Sequence, residues 1–457
     1  MRIADLDGQR VAVWGFGREG RAAITALRKR LPQQPLTLFC APAEVAAAQA
    51  FDTALDVHGV EPEAAVLAAF DVVIKSPGIS AYKPALLAAQ AQGTRFTSGT
   101  ALWFGENGID QGRAARVIAV TGTKGKSTTS ALIAHLARAL GVHTALAGNI
   151  GLPLLELLDQ SADLWVIDLS SFQTGEAGPL ELGVITSLYE EHLDWHGSRE
   201  RYVADKLRLA DASQLLLVNA LQPVLLERTQ EHSHRLLFGQ PEGWHVADGF
   251  ICRGKHEVFP VAQLAAPGLH NALNACAALT ALAAVGMDAL AAAPALAHFR
   301  PLPHRLQPLG EHDGRHWIND SISTTPEATL AALESLRGRA VTVLVGGHDR
   351  GLDWSHFVAE VGMHAPHAII CSGANGVRIH QALVAAGHAG VLALEVDLDA
   401  AVARARALTL PGGCVLLSPG APSFDQFHDY ADRGRHFAML AGFDGQAING
   451  IEGLGVA

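Results

Sequence analysis

Positive charge is in short supply. Thirty-four Lys and Arg face 45 Asp and Glu, a formal charge of −11. That balance disfavours a nucleic-acid backbone or an anionic membrane as the main partner. No block of like charge is long enough to be a tail. Cysteine is sparse and unpatterned. Cys40, Cys252, Cys276, Cys371 and Cys414 are odd in number and lack CxxC spacing. A disulfide frame and a zinc site are thereby disfavoured, and reduced, mostly buried thiols of a cytosolic protein are expected. A long uninterrupted apolar run is missing too. The nearest approach, Ala272–Phe299, is broken by Gly286, Asp288 and Pro294 and predicts packed helices, not a membrane span. Met1–Arg10 carries charges where a signal peptide needs an apolar region. Heptads, short repeats and a low-complexity tail are absent, and HExxH is absent, which makes a zinc-protease reading poor.

What is present centres on one stretch. Val117–Val120 reads as a buried strand, followed by Thr121-Gly122-Thr123-Lys124-Gly125-Lys126-Ser127-Thr128 and a helical segment through Leu140. Gly122 and Gly125 let backbone N–H groups approach an anion. Lys126 can reach terminal phosphate oxygens, and the Ser127 and Thr128 hydroxyls can sit on Mg²⁺. The spacing is two residues shorter than the usual phosphate loop, but the strand before it and the helix after it are the context that ATP binding requires.

At 457 residues the chain is expected to form two to four domains. In the first, strand Gln9–Trp14 runs into Gly15-Phe16-Gly17-Arg18-Glu19-Gly20, then a helix Arg21–Arg30 and a strand Leu36–Cys40. This is a dinucleotide-type turn. The second strand ends without the acid that would hold a ribose, which argues against a nicotinamide cofactor while leaving the turn suited to another diphosphate. Asp71–Lys75 is a further strand, ending at Ser76-Pro77-Gly78-Ile79, either a plain loop or a ligand loop.

Asp168 lies near the carboxyl end of strand Leu164–Leu169, where either a metal-binding acid or a helix cap belongs. Strand Val184–Leu188 leads to Glu191, His192, Asp194 and His196, then to Lys206 in a helix. His192 and His196, four apart, either share a helical face beside a metal or are two surface histidines. Asn271 and Asn274 either bond a purine edge or cap a helix. After the Pro-rich stretch Phe299–Arg305, strands at Trp317–Ile318, Val341–Val345, Ala368–Cys371 and Cys414–Leu417 alternate with helices. Three polar turns follow such strands: Asn319–Ser321, Gly346–Arg350 and Ser418–Ser423. Together they predict a ligand crevice.

The joint order of these pieces resembles the Mur ligase family, the ATP-dependent amino-acid ligases of peptidoglycan precursor synthesis. The residues that carry it include Ser76–Ile79, Thr121–Thr128, Gly148–Pro153, Leu169–Gln173, Glu191–Asp194, Lys206–Arg208, His270-Asn271, Leu302–Arg305, Trp317–Ser321 and Leu417–Gly420. The resemblance implies an α/β protein of three domains: a Rossmann-like domain over 1–98 for the UDP end of the substrate, a central P-loop-type ATPase domain over 99–301, and a Rossmann-like domain over 302–457 for the amino acid. It implies ATP on Gly122, Thr123, Lys124, Gly125, Lys126, Ser127, Thr128, Asn271, Arg305 and Asp320. It implies Mg²⁺ on Ser127, Asp168 and His192, with Lys206 as a carbamate. Catalytic roles would fall to Lys126, His192 and Lys206. The UDP substrate would meet Gly15, Gly17, Arg18, Glu19, Ser76, Pro77, Gly78, Asn149 and His192.

Within the family the likeness is to glutamate-adding members acting on UDP-N-acetylmuramoyl-L-alanine, and the departures sit in the last domain. D-glutamate-adding members carry Asp-Ser-Lys where this chain has Asp320-Ser321-Ile322. They carry Lys and Phe where it has Arg350 and Tyr430. An apolar Ile cannot pair a carboxylate, and Arg is a bidentate fork where Lys is a point charge. The resemblance therefore implies the L-glutamate-adding branch, with the amino acid on Ser321, Thr324, Arg350, Ser423 and Tyr430; the alternative is the same ligation with D-glutamate. More distant alternatives are an NAD-dependent oxidoreductase or a nucleotide-binding regulator. A cytoplasmic monomer working on small molecules, with no nucleic acid and no membrane insertion, is the expected setting.

Overall fold

The computed structural model describes residues 1–107, 116–189, 193–265 and 268–457, with the side chains of 193 and 194 left aside. Two compact units divide the chain: Met1–Pro260 with Ala272–Leu296 and Gly453–Ala457, and Val261–Asn271 with Ala297–Glu452. Each is described by itself.

The first unit holds two parallel-based sheets. One is five-stranded, in the order Leu55–His58, Leu36–Phe39, Val11–Trp14, Val72–Lys75, Arg95–Thr97. Chain order reverses between Val11–Trp14 and Val72–Lys75, so the glycine turn and the Ser76 turn leave adjacent strands at the same end. The other is seven-stranded, with Val117–Thr121 flanked by Leu180–Ile185 and Leu164–Asp168. Both neighbours are parallel to it, and all of Val117–Thr121 is buried. That explains its unbroken apolar sequence: helices cover both faces of a parallel sheet, so no side of the strand needs polar residues. An edge strand, Gly455–Val456, adds antiparallel to Thr144–Gly148.

The sequence reading missed a three-stranded antiparallel sheet, Trp244–Ala247, Phe250–Arg253 and His256–Pro260. Its first turn, Asp248-Gly249, has positive φ at both residues, the geometry for which Asp-Gly is favoured in tight hairpins. Two boundaries also moved. The helix after the glycine turn starts at Arg18, not Arg21, because Gly17 itself takes the N-cap position. The strand expected at Val184–Leu188 is Leu180–Ile185; its intended end, Thr186–Leu188, is instead the segment that grips the phosphate loop.

The second unit is a six-stranded sheet in the order Gln307–His312, Arg315–Asn319, Cys414–Leu417, Val341–Val345, Ala368–Cys371, Val391–Leu394. The first pair is antiparallel and the rest parallel. Adjacency of Arg315–Asn319, Cys414–Leu417 and Val341–Val345 brings the three polar turns to one end of the sheet. All five cysteines are buried and free, as expected. Burial pushes the Cys276 and Cys371 thiols up to about 12. Among the described residues no helix is long and apolar enough to cross a membrane.

Candidate active site

In the first unit, Gly125 has φ +85 and caps helix Lys126–Ala139 without a side-chain bond to the helix N–H groups. A Cβ at Gly125 would lie 2.5 Å from the Asn274 amide oxygen, so glycine serves here both conformation and close approach. The helix start thus has no side-chain cap from its N-cap residue, the arrangement that receives phosphate. Thr186 Oγ donates to the Lys124 carbonyl at 2.6 Å, and Lys124 N–H donates to Ser187 Oγ at 2.8 Å. Thr123 N–H donates to the Ser187 carbonyl. These contacts hold the loop before any ligand arrives.

Ser127 Oγ donates to Asp168 Oδ2 at 2.8 Å, and Asp168 is fully buried at the end of its strand. Asp168 thus bonds a hydroxyl of the phosphate-loop helix. A hydroxyl and a carboxylate side by side suit Mg²⁺, which takes oxygen ligands and leaves most positions to phosphate and water. Among the described residues no three His, Cys, Asp or Glu gather as a metal group. Asn149 is exposed beside this strand end, its N–H donating to the Asp168 carbonyl at 2.8 Å.

Lys206 is buried, its Nζ 5.0 Å from the Tyr202 ring centroid. Tyr202 OH in turn lies 2.6 Å from Thr123 Oγ, so helix Arg199–Ala212 touches the phosphate loop one turn before Lys206. Tyr202 was overlooked in the sequence, although its i,i+4 spacing from Lys206 was readable. His192 lies outside the described residues. His196 is not a surface histidine: it is fully buried, 2.7 Å from Asp205 Oδ2 and 3.0 Å from Ser171 Oγ.

The Gly15–Gly20 and Ser76–Gly78 turns belong to the same unit. A Cβ at Gly20 would fall 1.9 Å from the Gly15 carbonyl oxygen, so the helix packs against its own turn only with glycine there. Ser76 Oγ faces the Gly15 carbonyl at 3.5 Å, and Arg18 donates to the Gly151 carbonyl at 3.2 Å. The Pro77 carbonyl accepts from Trp195 Nε1 at 3.0 Å. Gly17 is the N-cap of helix Arg18–Arg30, and a Cβ at Gly78 would meet nothing within 4 Å. Glu19 sits in a small group of acids: burial, then Glu176 and Glu156, push its carboxyl up to about 7. Glu176 is itself raised by burial, with Lys75 Nζ 3.8 Å away opposing.

In the second unit, Arg305 is set between two non-glycine residues of positive φ, His304 (59°) and Leu306 (41°). Backbone in that region is costly, and such residues cluster at ligand sites. Among the described residues the buried Arg305 Nε has no hydrogen-bond partner. His304 is held by Asn319 and Asn449, and burial lowers its pKa. Asp320 is nearly sealed: it accepts from Ser323, from Ser418 at 2.8 Å and from Leu306 N–H at 3.0 Å. Asn271 is buried, its N–H donating to the Gly268 carbonyl at 3.1 Å.

Arg433 joins two of the three polar turns, and the third is tied to the Ser418–Ser423 turn by the Gly346 and His348 N–H groups, which donate to the carbonyls of Pro419 and Pro422. The Arg433 guanidinium donates to Ser321 Oγ and to the carbonyls of Ser321, Ala421 and Pro422 at 2.8–3.2 Å. Burial pushes it down to about 10, with Asp425 opposing. A recess beside the Gly346 turn is lined by Gly346, Gly347, Ser372, Asp425, Phe427 and Arg433. Ser321 Oγ also donates to the Tyr430 carbonyl at 2.8 Å, while the Tyr430 side chain is partly exposed. Ser423 is buried, its carbonyl accepting from Phe427 N–H. Thr324 is half-buried, and Arg350 is exposed 6.0 Å from the Phe424 ring centroid. Ser321 thus touches both the buried Arg433 and the Tyr430 carbonyl, while Arg350 is exposed.

The chain is similar to known proteins. Residues 120–282 match the family described as Mur ligase middle domain, and 304–420 match the Mur ligase, glutamate ligase domain. UDP-N-acetylmuramoyl-L-alanine--L-glutamate ligase of Xanthomonas axonopodis pv. citri (strain 306) is 51% identical over 469 residues, covering 100% of both chains. A protein of the same name from Micromonospora sp. (strain ATCC 39149 / NRRL 15099 / SCC 1413) is 40% identical, covering 96% of this chain and 97% of its own. Among solved structures, UDP-N-acetylmuramate-alanine ligase MurC from Thermotoga maritima has a TM-score of 0.60 at 17% identity, covering 94% of this chain and 98% of its own. MurF ligase from Thermotoga maritima in complex with ADP has a TM-score of 0.57 at 15% identity, covering 96% and 95%. With likeness running the whole length of the sequence and the fold in agreement, this chain belongs to the Mur ligase family.

Proposed function

We propose that the protein joins L-glutamate to UDP-N-acetylmuramoyl-L-alanine, converting ATP to ADP and phosphate. The observation that carries the reaction class is the phosphate loop with its Ser127–Asp168 pair at the sheet's point of reversal. The choice of substrate is supported by the full-length relatives that bear that name. A carboxylate is a poor acyl donor, so activation comes first. The alanyl carboxylate oxygen attacks the γ-phosphorus, the bond to the β-phosphate oxygen breaks, and ADP leaves. The glutamate amine then attacks the acyl carbon, phosphate departs with the carbonyl–oxygen bond, and the nitrogen gives up its proton.

Lys126 neutralises charge on the transferring phosphoryl group. Mg²⁺, when bound, supplies further charge neutralisation there; Ser127 and Asp168 would hold one ion, and His192 with carbamylated Lys206 a second. The turns at Gly15–Gly20 and Ser76–Gly78 take the UDP end, with Asn149 nearer the reacting end. Asn271, Arg305 and Asp320 take the nucleoside and phosphate parts of ATP. Arg305, with strained neighbours and a partnerless Nε, fits such a role; the buried Asp320 more readily braces the turn that carries Arg305. Ser321, Thr324, Arg350, Ser423 and Tyr430 cradle the incoming amino acid. The division at 1–98, 99–301 and 302–457 follows these three tasks, in a cytoplasmic monomer.

The test is phosphate release from purified protein with ATP, Mg²⁺ and UDP-N-acetylmuramoyl-L-alanine, comparing the two glutamate enantiomers. Release with L-glutamate alone is expected. Release with D-glutamate alone would mean Ile322, Arg350 and Tyr430 are tolerated in an ordinary D-selective pocket, and release with neither would remove the muramyl substrate from the reading.

A further inference from the structure

A closed line of hydrogen bonds runs beneath the substrate turn of the first unit. Tyr82 OH lies 2.8 Å from each Asp205 carboxylate oxygen. Asp205 Oδ2 lies 2.7 Å from His196 Nδ1, and His196 Nε2 lies 3.0 Å from Ser171 Oγ. A carboxylate only accepts, so Tyr82 and Nδ1–H both donate to it. Thr174 Oγ closes the far side, facing the carbonyls of Asp205 at 2.6 Å and Ser171 at 3.2 Å.

Each end of the line has a function to serve. Tyr82 follows the Ser76–Gly78 turn, and that turn is docked by two further bonds: Ser80 Oγ to the Trp195 carbonyl at 2.6 Å and Trp195 Nε1 to the Pro77 carbonyl at 3.0 Å. Asp205 precedes Lys206 on helix Arg199–Ala212, whose Tyr202 reaches Thr123 of the phosphate loop. Tyr202, Asp205 and Lys206 are spaced i, i+3, i+4 and share one face. Ser171 lies three residues after Asp168. The sequence of Ser, His and Asp matches a nucleophile triad in its contacts. Yet His196 is fully buried against Phe172, Trp195 and Tyr202, so no substrate carbonyl reaches Ser171 through it. With His196, Asp205 and Ser171 buried and each bonded to its neighbour, the line holds elements in register.

We propose that Tyr82, Asp205 and His196 are positioning residues, which tie the 76–82 turn to the helix of Lys206 and so make ATP turnover depend on how that turn is seated. The inference rests on the reading above for the roles of Lys206 and the turn. Loss of one link lets the helix shift against the phosphate loop, where small misplacements cost rate more than binding.

The test uses the full chain with Tyr82→Phe, Asp205→Asn and the double variant. Tyr82→Phe removes one hydroxyl and leaves folding intact, so it carries the test if Asp205→Asn proves unstable. Deuterium exchange without ligand is read over 199–212, and phosphate release is read under varied ATP. Each single variant is expected to raise exchange in that helix. Each is expected to lower kcat about tenfold, with KM for ATP changed less than about twofold, and the double variant to fall no further than the worse single. Unchanged exchange overturns the link whatever the reaction is. Unchanged kcat, or multiplied losses in the double variant, overturns the positioning role. An inactive wild-type protein indicts the ligase reading, while raised exchange in the variants still upholds the link.

Discussion

Glu19 shows how a single side chain reports its surroundings. Its carboxyl titrates at about 7 in the fold, raised by burial and by two neighbouring acids, against 4.5 for the ordinary group. Between those values the folded chain binds more protons than the unfolded one, so this group's stabilisation is complete below pH 4.5 and lost as pH rises through about 7. Glu19→Gln keeps the neutral shape. Its Tm is expected to exceed the wild type's at pH 8 and to converge with it at pH 5, measured by thermal melts in matched buffers. The motif placed Glu19 in a diphosphate turn, but Glu156 and Glu176 are far from it in sequence, so its charge state was not legible there. Lys126 differs in kind: its place at the helix start depends on a glycine turn within a few residues, and a local pattern carries that.

Elements depend on a few cross-chain fasteners. Arg138, on the helix of the phosphate loop, donates to the carbonyls of Thr144, Gly453 and Gly455 at 2.6–3.0 Å. It thereby clamps the two-residue strand Gly455–Val456 to the sheet edge. So short a strand has little pairing of its own. Arg138→Ala removes several bonds from a charged donor and is expected to cost on the order of 2 kcal/mol. That corresponds to a Tm lower by about 4–8 °C for a unit of this size. Fast amide exchange confined to 453–457 and 144–148 would accompany it; a Tm within a degree of wild type, with those amides still protected, would show the strand holds by itself. Nothing in Gly453–Ala457 announces a strand, whereas Val117–Thr121 and Cys414–Leu417 announce themselves by apolar runs between turns.

For the whole molecule, the phosphate-loop assignment predicts a separation of fold from activity. Lys126 lies at a helix start on a loop fixed by Thr186 and Ser187, not in the core. Lys126→Ala is expected to melt within a few degrees of wild type. Its phosphate release is expected to fall by several orders of magnitude, because charge on the transferring phosphoryl group goes unanswered. Chelation of Mg²⁺ is expected to silence the wild type equally and reversibly. A variant that still releases phosphate near the wild-type rate would remove Lys126 from the chemistry.

The sequence by itself determined the parts whose physics is local: the phosphate loop, the two glycine turns, the strand ends that carry Asp168 and Asn319, and their order along the chain. Local geometry needs only neighbours a few residues apart, so spacing records it. Only the tertiary structure decided which distant groups meet. It paired Ser127 with Asp168, made His196 a buried link between Asp205 and Ser171 where two surface histidines had been an option, and joined two turns of the second unit through Arg433. Those meetings depend on strand order and helix packing, and burial then sets their charge states. Neither strand order nor burial is a property of any short stretch of residues.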